Sequence, residues 1–305
     1  MSTTLVVGEF SPSVVLAVAR RTGRLEAAGL EVEQVAVASS PAQFRSLLDG
    51  ALDVALTSPD NVLAYRFSPT NPLGERADVR IVSAVDRGLG LGLYGRPGLT
   101  AAEQLRGATV GVDVATSGFA LALYRLAEVL GVHRDEYFLV QLGSTPKRLR
   151  ALVAGECDAT MLNAGNELLA EQQGCTRLAS VAEVCSPYLG TVVAVAGPAR
   201  LAGARALGAV LTATAEDVCA GDAGPVAAEE AAHLLQLSPE LAERYVARLR
   251  DPAEGLVRGG AVDLPALGTL VELRRSHLPE VVDGVDVLAG ALDPASGLVE
   301  PVPAA

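Results

Sequence analysis

The sequence predicts an α/β protein of two lobes built from βαβ units, with mixed, mainly parallel sheets, a two-segment hinge and a helical C-terminal segment packed on lobe one. Three observations predict it: an internal repeat offset by 105 residues, strand-like and helix-like segments that alternate through both copies, and two apolar segments placed to cross between the copies. The expected division is residues 1–92 with 190–305 as lobe one and its tail, and 93–189 as lobe two.

The repeat is read from "SSPAQFRSLLDGALDVALTSPDN", beginning at Ser39, and "GSTPKRLRALVAGECDATMLNAGN", beginning at Gly143. With Pro41 set on Pro146, Arg45 meets Arg150, Leu48 meets Val153, Gly50 meets Gly155 and Asp53 meets Asp158. Each copy opens with a hydroxyl residue, Ser40 or Thr145, before a proline suited to the first helical turn. A glycine ends each short helix, and a strand follows, "DVALT" or "DATML". Upstream, "TLVVGEFSPSVVLAVARRTG" and "ATVGVDVATSGFALALYRLAEVLG" both read as strand, glycine, acidic residue, hydroxyl-rich turn and helix. On the second helix Phe119, Leu123, Leu126 and Leu130 fall on one face.

"RIVSAVDRGLGLGLYGRPG" and "GTVVAVAG" supply the two crossing segments, near 85–97 and 187–197. Beyond Gly197 the pattern is helical, in four or five segments, and the Pro- and Gly-rich end "DPASGLVEPVPAA" is expected to be peripheral. In a parallel sheet a ligand sits beyond the carboxyl ends of the strands, where helix N-termini offer free amides and a partial positive charge. The small turn Thr116-Ser117-Gly118 lies at such a point and admits close approach to the main chain.

Composition narrows the partners. The 305-residue chain is 50% hydrophobic, with a formal net charge of −12, which argues against a general nucleic-acid or anionic-membrane surface. No apolar run approaches the roughly 18 residues of a membrane span, so no membrane insertion is expected. The opening "MSTTLVVGEF" has no basic region or apolar stretch of leader type. The chain as written is therefore expected to be cytoplasmic, or periplasmic or extracellular if a leader was removed. Cys157, Cys175, Cys185 and Cys219 lack metal-binding spacing and read as buried thiols. His133, His233 and His277 are dispersed, "GLGLG" opens no helix, and there is no P-loop or G-x-S-x-G elbow, so neither metal nor cofactor is expected. The single lysine, Lys147, reads as part of a solvated helix face.

"AAEQLRGATVGVDVATSGFALALYRL", "LLDGALDVALTSPDNVLAY" and "LVAGECDATMLNAG" together resemble the type 2 periplasmic binding protein fold. More narrowly, they resemble the SsuA/THI5-like substrate-binding proteins of nitrate, sulfonate and taurine ABC importers. The resemblance covers about residues 3–197 and implies a two-lobe cleft that closes on a small polar or anionic organic ligand, with an ABC permease as partner. It implies ligand contacts at strand ends: Glu9, Phe10 and Ser11; Ser39 and Ser40; Thr57, Ser58 and Asn61; Thr116, Ser117, Gly118 and Phe119; Asn163, Asn166 and Glu167; Tyr188 and Thr191. Phe10, Phe119 and Tyr188 are expected to sandwich the ligand body. The fold also resembles cytosolic enzymes, namely chorismate dehydratases, dihydroxyphthalate decarboxylases and yeast-type pyrimidine synthases of thiamin synthesis. The last fits worst, since the chain has one Lys, Lys147, and no clustered Cys motif, so the alternative is a lyase such as a dehydratase or decarboxylase. In that alternative Glu9, Asp113 or Glu167 serves as acid or base.

Overall fold

Two five-stranded sheets carry the repeat in the computed structural model, which describes residues 3–301. The first half runs β1 (Thr3–Glu9), α1 (Val14–Arg21), α2 (Arg24–Ala27), β2 (Leu30–Ala36), α3 (Ser40–Leu48), β3 (Val54–Thr57), α4 (Pro59–Phe67) and β4 (Val79–Asp86). The chain then crosses to β5 (Gly92–Gly95), β6 (Thr109–Val112), α5 (Gly118–Val129), β7 (Phe138–Gln141), α6 (Thr145–Ala154), β8 (Ala159–Leu162), α7 (Asn166–Gln172), β9 (Thr176–Ser180) and α8 (Val181–Val184). It returns through β10 (Thr191–Ala196).

Sheet one has the order β2-β1-β3-β10-β4 and sheet two β7-β6-β8-β5-β9. The two orders correspond strand for strand, and so does the register. Val7 and Gly8 pair in parallel with Val54 and Ala55, as Val110 and Gly111 pair with Ala159 and Thr160. In each sheet the fourth strand, β10 or β5, is antiparallel to both neighbours. Each is the strand that adjoins a crossing, so the two sheets are joined by the segments 87–91 and 185–190.

The repeated aspartates explain the repeat. Asp53 Oδ2 accepts from Val6 N and its own N–H donates to Val6 O, both at 2.8 Å. Asp158 does the same with Thr109, at 2.8 and 2.7 Å. Each clips the start of the central strand to the strand beside it, a task that a short carboxylate beside a paired backbone does well. The fourth residues of α3 and α6 are also equivalent. Gln43 Nε2 donates to Gly8 O and Leu56 O, whereas Arg148 reaches Met161 O, the counterpart of Leu56.

Four helices follow: α9 (Leu201–Ala220), α10 (Gly224–Leu234), α11 (Pro239–Arg250) and α12 (Leu264–His277). The first of these is one unbroken helix of 20 residues. It packs on β4 and β10, with α1 and α10 against it, so most of the tail belongs to lobe one. The last helix reaches further, lying against both α4 of lobe one and α5 of lobe two. One apolar cluster accordingly runs from Val62 and Leu63 through Leu267 and Leu270 to Leu121 and Leu126.

The C-terminal end is not peripheral, as its Pro and Gly content suggested. After the short hairpin β11 (Val281–Val282) and β12 (Val285–Asp286), the chain returns beside β4, where Ile81 N donates to Leu298 O and Glu300 N to Ile81 O. Glu300, 7% exposed, takes Arg80 on one oxygen and Arg205 on the other. This edge pairing, not local propensity, orders the segment. The last four residues, 302–305, lie outside the described part. All four cysteines are free thiols, three of them buried. No helix among the described residues is long and apolar enough to cross a membrane, and no group of His, Cys, Asp or Glu among them is placed to hold a metal ion.

Candidate functional site

A cleft of about 960 Å³, counting its open mouth, lies between the carboxyl ends of the two sheets. Lobe one contributes the turn Glu9–Ser13, the start of α1, and Thr57, Ser58 and Asn61 from the turn into α4. Lobe two contributes Asp113, Ser117, Gly118 and Phe119 at the start of α5, Thr145 and Arg148 from α6, and Asn163 with Ala164. The crossings contribute Asp86, Leu89, Gly190 and Thr191, and the tail contributes Tyr245, Leu249 and Leu256.

Helix capping decides which amides remain free. Ser117 Oγ accepts from Ala120 N at 3.3 Å and Ser13 Oγ from Leu16 N at 3.3 Å. The amides of Gly118 and Phe119, and of Val14 and Val15, belong to the first turns of α5 and α1, where no intrahelical carbonyl is in reach. All four residues line the cleft, so each lobe presents an uncommitted helix N-terminus to the same space. The start of α4 differs: Asp60 N is taken by Ser58 Oγ and Asn61 N by Ser58 O.

The side-chain charges are mostly negative. Glu9 Oε2 accepts from Ser13 N at 3.1 Å and Oε1 from Gln34 Nε2 at 2.9 Å. Burial nevertheless pushes its pKa up to about 7, because those hydrogen bonds compensate only part of the lost hydration. Asp86 accepts from Gly88 N at 2.8 Å and is raised by burial to about 6. Asp113 Oδ2 accepts from Ser40 N and Oγ across the lobe boundary, at 3.3 and 3.0 Å. Its Oδ1 is buried and unpaired. The one basic side chain of the lining is Arg148, 2% exposed, whose pKa burial lowers to about 10. Its nitrogens are committed to Met161 O, Gly143 O and Thr145 Oγ1, so it lends charge to the cleft more than a free fork.

Glu9, Phe10, Ser11, Thr57, Ser58, Asn61, Ser117, Gly118, Phe119, Asn163 and Thr191 all line this space. Six other residues expected there lie elsewhere. Ser39 caps α3 through Ala42 N, and Ser40 is spent on Asp113. Thr116 turns its carbonyl to Arg274, and Asn166 Nδ2 donates to Asn163 O. Tyr188 is 2% exposed in the core, against Gly88, so it is no part of an aromatic sandwich. Glu167 is fully buried behind the cleft, between Gly90 and Arg248, whose Nε stands 4.0 Å away. Burial raises it to about 8. Of the candidate acids and bases, Glu9 and Asp113 therefore share the cleft and Glu167 does not. Sequence reasoning missed Arg148, although the repeat places it opposite buried Gln43, and missed Tyr245, which carried no local signal.

A family model described as "ABC transporter, phosphonate, periplasmic substrate-binding protein" matches residues 25–236. The chain belongs to this family of substrate-binding proteins. Solved structures agree in fold. The alkanesulfonate-binding protein SsuA of Xanthomonas axonopodis, bound to MOPS, superposes with a TM-score of 0.71 at 16% identity, over 92% of this chain and 96% of that one. The aliphatic sulphonate binding protein SsuA of Escherichia coli gives 0.69 at 16%, over 99% and 94%. A Candida albicans gene product, described as defining a new family with the generic periplasmic binding protein fold, gives 0.73 at 17%, over 98% and 96%. No match is found among curated proteins. The protein is thus a ligand-binding, type 2 periplasmic binding protein of SsuA-like architecture.

Proposed function

We propose that this protein is the receptor of an ABC importer, working on the periplasmic or extracellular side, where it closes on a small organic molecule and presents it to a permease. The lobes are taken as residues 1–92 with 190–305 and 93–189. The reading rests chiefly on the free N-terminal amides of α1 and α5, which face one cleft from two lobes. Such paired N-termini suit a polar or anionic head group such as a carboxylate or sulfonate. Glu9, Asp86 and Asp113 suit a protonated nitrogen elsewhere on the same molecule, and Phe10, Phe119 and Tyr245 offer apolar faces for its body. Closure is the signal a permease reads.

Incubation of the purified protein with a metabolite extract, followed by native mass spectrometry, tests this. Stoichiometric retention of one unchanged compound is expected. Catalytic depletion of a compound, or retention of none, overturns the receptor reading.

A further inference from the structure

The two lobes touch directly beside the cleft, and a tail residue holds the contact. Asp60, the second residue of α4, is fully buried and lies against Gly118, the first residue of α5. Arg274, 5% exposed near the end of α12, grips it with Nε–Oδ1 at 2.7 Å and Nη2–Oδ2 at 3.0 Å. The same Nη2 donates to the Thr116 carbonyl at 3.0 Å. Thr116 immediately precedes Ser117, the cap of α5, and the turn is held from its other side by Tyr124 Oη donating to Ala115 O at 2.7 Å. One guanidinium from the tail therefore joins lobe one to the main chain of the turn that lines lobe two's side of the cleft.

We propose that Arg274 is a positioning residue for closure: it locks the lobes on their closed contact by holding Asp60 and the Thr116 carbonyl together. Arg274 does not line the cleft, so it acts through the turn and not on the ligand. Parting the lobes separates Asp60 from Thr116, and one guanidinium can then keep only one of them. The planar fork matters, because it satisfies a carboxylate with two parallel bonds and still offers an N–H to a carbonyl. A lysine ammonium at this place reaches Asp60 but lacks that fixed geometry. The proposal builds on the receptor reading, in which closure is the functional event, but its test needs no ligand.

The test measures the distance between spin labels on the exposed positions Asp49 of lobe one and Ala154 of lobe two, each changed to Cys in the full chain with the half-buried Cys219 changed to Ser. Three backgrounds are compared: wild type, Arg274→Lys, and the double variant Asp60→Leu with Arg274→Met, which removes the pair without leaving a buried charge unpaired. Wild type is expected to show mainly one distance, matching this structure. The double variant is expected to lower the closed-to-open ratio about tenfold while melting cooperatively, with Arg274→Lys intermediate. Identical distance distributions in wild type and a folded variant overturn the proposal. If the double variant fails to fold, Arg274→Lys alone decides: an unchanged distribution overturns the proposal and a shift toward longer distances supports it. A chain that retains no metabolite but shows the expected distances loses the receptor reading and keeps the clasp.

Discussion

Replacing Gly118 by alanine is expected to hold the cleft open. A Cβ at this position would sit 2.5 Å from Asp60 Cβ and 2.9 Å from its Cγ and Oδ2. Ordinary carbon contacts are about 3.5 to 4.0 Å, so the overlap exceeds what small adjustments absorb. Asp60 cannot swing aside cheaply, because it is fully buried and bonded through both oxygens to Arg274. Overpacking of this kind costs about 1–3 kcal/mol. That penalty falls on the closed form alone, since the partner atom belongs to the other lobe. In the open form alanine meets no such overlap, and the first helical position tolerates it. The expected outcome is ligand affinity lowered by up to about 5- to 150-fold, mostly through faster dissociation, with the melting temperature of the free protein lowered as well, because the free protein also rests mainly on this contact. Isothermal titration with the retained metabolite, together with a melt of the free protein, checks both halves. Unchanged affinity would show that the α4–α5 contact is not part of the bound state. An unchanged melting temperature would show that the contact is absent from the free fold.

Three further outcomes follow from the same geometry. Ser117→Ala removes the α5 cap at a cost of about 1 kcal/mol and should weaken binding, whereas Thr116→Val should leave affinity within about twofold because only the Thr116 carbonyl is used. Calorimetry on both variants checks the contrast. Burial raises Glu9 from 4.5 to about 7, against the opposing pull of Gln34, Ser13 N and Arg20, so the fold prefers the protonated acid. Its contribution is complete below the unfolded pKa and is lost as pH rises through about 7, a change of about 3 kcal/mol. Asp86 and Glu167 act in the same sense, and Glu9→Gln should remove one share of the slope in urea melts taken at several pH values. Asp53→Ala should destabilise by about 1–3 kcal/mol through the orphaned Val6 amide, and Asp53→Asn, which keeps an acceptor, by less.

The fold was legible because its repeat is written in residues whose tasks are local. Gly155 ends α6 in the left-handed region, at φ 74°, and Asp53 and Asp158 each clip a neighbouring strand. Such residues show in any copy of the unit, whatever lies opposite. The cleft was legible in the same measure. Strand ends and helix caps placed Glu9, Thr57, Ser117 and Asn163, while contacts made between lobes were invisible. Nothing in the spacing of Ser40 shows that its hydroxyl meets Asp113 of the other lobe, and nothing in α11 shows that Tyr245 reaches the cleft. The misplacement of Glu167 has the same origin. It follows a strand end as the family pattern asks, but the way α7 packs leaves its side chain buried between Gly90 and Arg248, outside the cleft lining. Helix rotation and lobe docking are tertiary quantities, and a period of 3.6 does not record them.

The duplicated plan also explains how the cleft acquires direction. Gln43 and Arg148 occupy the same place in the two copies, and both are nearly fully buried. The glutamine spans Gly8 O and Leu56 O without bringing a charge, whereas the arginine meets the corresponding need in lobe two and leaves a positive charge beneath the cleft. Glu9 and Asp86 stand on the other side, in lobe one and at its crossing. An unsymmetrical substitution at a symmetric site thus sets a field from one lobe to the other, reduced but not reversed by Asp113 beside the arginine. A ligand with charges at opposite ends would align with that field and draw its two grips together, so orientation and closure become one event. A ligand carrying a negative charge alone would gain from Arg148 and the helix ends but meet the carboxylates of lobe one. It would bind well only when Glu9 and Asp86 keep their protons, and its affinity should therefore fall as pH rises through about 6 to 7. A ligand bearing a cationic nitrogen should show the reverse dependence. Titration of the retained compound at pH 5.5 and 8 distinguishes the two by the sign of the change alone.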